Sequence, residues 1–206
     1  LNTGGGAQDL YSYDPAFNRA LGGIGRESGD EHTEAYSGAL LLADATALGN
    51  GDFAVAAHNG AGASSWSSIE VPGSDYRRIA REWRLDLSGT PGNITLGARV
   101  DQLPALPSGA TYYVLVDGDG NFSSGATILP LVQQSGDDWR IASGQSLSDG
   151  DYLTLAIGAL PNTPQNLTAT PERNQRTLLS WDAVNTNTFN NSTTLTGDEY
   201  RIYQNT

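Results

Sequence analysis

The chain contains no cysteine, no methionine and no lysine. Without cysteine there is no disulfide, no thiol chemistry and no thiolate metal site, so the core alone must hold the fold. That absence leaves secretion open, because a chain of 206 residues buries enough apolar surface without staples. With no lysine, all eleven basic residues are arginine, against 23 acidic ones. The net charge of −12 argues against nucleic acid and anionic membranes as partners, and favours a surface that gathers divalent cations. No apolar run approaches the ~20 residues of a membrane span, and no stretch has the make-up of a signal peptide. The missing initiator methionine marks the chain as a processed product or an excised piece.

What is present is the chemistry of turns and strands. There are 25 glycines, with abundant Ser, Thr and Asn, as in a turn-rich all-β protein. Thr111–Val116 is a run of β-branched and aromatic residues, apolar on both faces, which predicts a strand buried in the middle of a β-sandwich. Further strands are expected at Ser37–Ala43, Phe53–Ala57, Tyr76–Leu87, Ile94–Val100, Ile128–Val132, Trp139–Ala142 and Tyr152–Ile157. Over Tyr76–Leu87 the alternation of Trp83, Leu85 and Leu87 with Arg84 and Asp86 favours a strand over a helix. Gly22–Glu34 is expected to be polar loop. Asp9–Ile24, with a turn at Asp14-Pro15, suits either a strand or a helical turn. Pro161 and Pro164 bracket a linker at 159–163, so the expected units are 1–158 and 164–206.

In the second unit Pro164-Gln-Asn-Leu167-Thr-Ala169, the Leu179-Ser-Trp181-Asp182 segment and Tyr200-Arg-Ile-Tyr203 resemble the opening strands of a fibronectin type III domain. Such a domain needs about seven strands, and only three are present. The resemblance therefore implies an incomplete unit, finished by strands of another chain or by packing on the first domain. Residues 1–158 resemble an uncharacterised β-sandwich module of large bacterial surface and adhesin-like proteins. The resemblance is carried by LYSYDPAFN at Leu10–Asn18, GIGR at Gly23–Arg26, REWRL at Arg81–Leu85 and YVLVDGDGNFSSGAT at Tyr113–Thr127. It implies an extracellular or cell-surface location and a sandwich of jelly-roll or immunoglobulin-like type. It carries no catalytic residues.

The buried run ends in Asp117, Asp119 and Asn121, the 1-3-5 oxygen spacing of calcium loops. Phe122 and Ile128 stand where an EF-hand has glycine and glutamate, so a calcium ion here must recruit Ser123, backbone carbonyls or a remote acid. Asp149 and Asp151 are candidates for it, although Asp-Gly-Asp is also ordinary turn chemistry. His32 and His58 lack any zinc spacing and are expected in loops. Of the four tryptophans, Trp83 and Trp181 have core spacing. Trp66, set among serines, is the candidate for an exposed sugar-stacking ring, with Tyr76 beside it.

These features predict a non-catalytic structural or adhesive module of a bacterial surface protein, stalk or filament, assembled by strand complementation between chains. Its partners would be copies of itself or neighbouring domains. The alternative is a calcium-dependent module that binds carbohydrate or peptide.

Overall fold

The computed structural model describes residues 14–160, 166–172, 176–180, 182, 187 and 189. Two compact units divide the chain: Leu1–Leu106 with Thr111–Gly158, and Pro107–Ala110 with Ala159–Thr206.

The first unit is all-β. Its strands are β1 Arg19–Glu27, β2 Asp30–His32, β3 Glu34–Ser37, β4 Leu40–Ala43, β5 Phe53–His58 and β6 Tyr76–Ser88. They continue with β7 Thr95–Arg99, β8 Ala110–Asp117, β9 Thr127–Ser135, β10 Asp138–Ile141 and β11 Tyr152–Ala159. These form one eleven-stranded sheet in the order β2-β1-β5-β6-β11-β8-β9-β10-β7-β4-β3. The pairings β1–β5, β5–β6, β6–β11, β8–β9, β9–β10, β10–β7 and β7–β4 are antiparallel. The sheet folds over on itself into a β-sandwich, bringing β1 against β3. At that contact a Cβ on Gly22 would stand inside the carbonyl of Tyr36, so glycine is what admits the approach. The Ser37 hydroxyl seals it by donating to the Ala20 carbonyl at 2.6 Å.

The apolar run that predicted a central strand is β8, sixth of the eleven in sheet order. Val114 and Leu115 are both fully buried although they face opposite sides. The remaining core follows the alternations: Leu40–Ala43, Phe53–Ala57, Leu96, Ala98 and Leu153–Ile157 are all buried. Trp83 is fully buried, its indole N–H donating to the Ser37 carbonyl at 2.8 Å.

Two expectations are corrected. Gly22–Glu34 is not loop: it carries most of β1, all of β2 and the first residue of β3. Strand pairing here rests on backbone hydrogen bonds and on close packing by glycine, neither of which leaves an apolar pattern. The Ser37–Ala43 run is not one strand: it holds the end of β3, the turn of a hairpin and all of β4. Ser37 pairs with Leu40 across Gly38-Ala39, and Gly38 takes the positive φ of 59° that so tight a turn requires. Upstream, Asp14–Phe17 is a tight turn closed by Phe17 N–H on the Asp14 carbonyl at 3.0 Å; the rest of the Asp9–Tyr13 segment lies outside the described residues.

In the second unit β12 Thr168–Glu172 and β13 Arg176–Ser180 pair antiparallel, Thr168 opposite Ser180. Their hydroxyls lie 2.7 Å apart. Of the fibronectin-like pattern, Trp181 and Tyr200–Tyr203 lie outside the described residues.

Candidate functional site

The loop from β8 to β9 is built from its own side chains. Asp117 Oδ1 accepts the N–H groups of Asp119 at 2.8 Å and Gly120 at 2.9 Å. Asp119 Oδ1 accepts the Asn121 N–H at 2.8 Å, and Asn121 Oδ1 accepts the Ser123 N–H at 3.2 Å. Each side chain therefore caps the backbone two residues further on, the short-range bond that Asp and Asn make in turns. The loop expected to gather three oxygens is thus held by three successive caps. The Asn121 N–H, and then the neighbouring Asp117 side chain, hold the Asp119 carboxyl below its ordinary value.

Phe122, the residue that breaks the EF-hand pattern, anchors this loop. It is fully buried in a cluster with Leu115 and Ala156, flanked by Tyr113, Ile128 and Tyr152. The Arg78 guanidinium lies 5.2 Å over its ring, a cation–π contact. Arg78 is itself buried and paired, with Glu82 at 2.9 Å and with Glu70.

Beside the loop is a cleft of about 260 Å³, lined among others by Asp117, Gly125, Thr127, Gln145, Ser146 and Asp151. Asp117 is 7% exposed. Its Oδ1 holds the loop, while Oδ2 lies on the cleft side, 3.8 Å from where a methyl on Gly125 would stand. Asp151 Oδ2 accepts the Ser148 N–H at 2.7 Å. Neither carboxylate lies within ion-pair distance of an arginine among the described residues. Asp149 does not line the cleft; its Oδ1 accepts the Leu87 N–H at 2.9 Å and ties the turn to β6. Of the five acidic-loop candidates, the fold brings Asp117 and Asp151 to one cleft and spends Asp119, Asn121 and Asp149 on the backbone. No group of three or more Asp, Glu, His or Cys side chains comes together as a metal cluster among the described residues.

Thr127, Gln145, Ser146 and Ser148 also line the cleft and were not expected as site residues. Gln145 is placed by a two-way backbone bridge to Ile94, a long-range contact with no local pattern.

The aromatic candidates separate. Trp66 is half-buried, its indole N–H donating to the Ala105 carbonyl at 3.1 Å. Its ring packs 6.3 Å from Tyr112, which meets Trp139 edge-on at 5.1 Å. Tyr76 packs edge-on against Tyr113 at 5.5 Å. Tyr112 and Tyr113 are consecutive on β8, so their side chains leave on opposite faces. Trp66 and Tyr76 consequently belong to two clusters, not one platform.

Both histidines are in strands, His32 exposed in β2 and His58 buried at the end of β5. His58 Nδ1 accepts the Gly60 N–H at 3.0 Å, and its ring meets Trp83 edge-on at 5.9 Å. Burial first, then Arg81 and Arg19, pushes its pKa down to about 4.

Fold and cleft together define an all-β module with a polar recess at the end of its central strands. Residues 41–145, just over half of the chain, match a family described as a domain of unknown function, DUF8202. The chain belongs to that family. The match runs from β4 to just past β10; it includes Asp117 and stops short of Asp151. No curated protein and no solved structure matches the chain.

Proposed function

We propose that this chain is a non-catalytic binding module of a bacterial extracellular surface protein, and that its binding site is the cleft between Asp117 and Asp151. One observation carries the reading: two carboxylates with no arginine partner among the described residues share a recess in a self-capped part of the sandwich. A concave site with a few placed polar groups is the common form of a small-ligand site. The aromatic faces offer less, because Trp66 and Tyr76 are occupied by intramolecular packing. Neighbouring domains of a longer surface polypeptide are the natural partners of such a module.

The test is a titration of the isotope-labelled chain with neutral methyl hexosides, short peptides and calcium chloride. Amide shifts clustered on Gly118, Gly125 and Ser146 are expected from at least one probe. Shifts confined to other surfaces, or none from any probe, overturn the assignment.

A further inference from the structure

We infer that the cleft takes a single neutral ring bearing hydroxyl groups, the chemistry of a glycan end, with Asp117 and Asp151 as paired hydroxyl acceptors. The inference rests on the proposed binding role and names the ligand class of that same site.

Size comes first. At about 260 Å³ the recess falls below the roughly 300–1,000 Å³ of clefts that enclose drug-sized ligands. It accommodates one ring rather than a chain of them. The lining is mainly polar, from the two acids, Gln145, Ser146 and Ser148, with Val116, Leu129 and Leu147 adding only a little apolar surface. A pyranose meets such a lining with the hydroxyls of its rim.

Charge then separates the candidates. No arginine or histidine lines the cleft and the chain carries −12 overall, so an anionic ligand would meet only repulsion. A calcium ion takes six to eight oxygens, and the cleft supplies two carboxylates, each already sharing one oxygen with backbone N–H donors. Those N–H bonds offset part of the carboxylate charge and fix the geometry. Asp117 Oδ2 and Asp151 Oδ1 carry none of these bonds. Hydroxyl-to-carboxylate bonds are short and about twice as strong as neutral ones. A site built on them discriminates sharply against an analogue lacking the hydroxyl, whose absence leaves a carboxylate desolvated and unpaired.

The experiment compares methyl hexopyranosides, their deoxy analogues, glucuronate and calcium chloride on the intact chain, by amide shifts. Asp151→Asn keeps an oxygen for the Ser148 N–H and is expected to weaken hexoside binding about tenfold. Thr127→Trp, at the exposed rim, is expected to abolish it with the melting temperature unchanged. One hexoside must bind in the cleft, lose about tenfold or more on removal of one hydroxyl, and outcompete glucuronate. Glucuronate binding as tightly as the hexoside overturns the inference. Cleft shifts from calcium alone, or from peptides alone, overturn it too but leave the binding role standing. Silence of the cleft toward every probe overturns both.

Discussion

The triplet Asp-Gly-Asp occurs twice, at residues 117–119 where β8 ends and at 149–151 just before β11 begins. In the first triplet the leading acid lines the cleft and the trailing one caps the loop. In the second, the trailing acid lines the cleft and the leading one reaches across to Leu87. The common rule is adjacency to a strand. β8 and β11 are neighbours in the sheet, and in each triplet the residue joined to the buried strand is the one aimed at the recess. A short acidic motif thus takes its role from the element it is attached to, not from its own order of residues.

The largest test of that comparison is Phe122→Ala. If the first triplet is held by the ring beneath it, the loss should be about 3–5 kcal/mol, seen as a lowered midpoint in urea unfolding. A loss below about 1 kcal/mol would show that the caps alone hold the loop. Next comes pH. His58, in contact with neither triplet, has a folded pKa of about 4 against the ordinary 6.5. The unfolded chain therefore binds its proton first, and the stability from burying it neutral is full above pH 6.5 and lost as pH falls toward 4. Between pH 7 and 4.5 we expect a fall of about 2 kcal/mol, largely removed in His58→Leu. An undiminished fall in that variant would assign the acid sensitivity to carboxylates, the cleft pair included. Asp149→Ala should cost about 1 kcal/mol, the worth of one tether between distant segments. Asp119→Ala, which removes only a local cap on an exposed turn, should cost less. The reverse ranking in matched melts would break the contrast between the triplets.

Much of the sheet was legible in the sequence, and the reason is visible strand by strand. From β5 to β11 every strand but β10 buries side chains in alternation or in a run, and burial is what hydropathy records. β1 was illegible because Gly22 and Gly23 serve packing through what they lack. The β3–β4 hairpin was misjudged because Ala39 is as buried as the leucines after it, so the apolar run continues through the turn. At the site, the composition of the Asp117 loop was plain but its bonds were not. An aspartate two residues before an amide can cap it or bind an ion, and spacing alone is the same for both. The contribution of residues 145–148 comes from pairing with Ile94, some fifty positions away, which no local window contains.

The two ends of the sheet have a consequence for many copies at once. β2 is three residues long, all polar and exposed, and β3 is four residues long and lies against β1. Edges so short, charged or covered give a neighbouring chain few free backbone groups to zip onto.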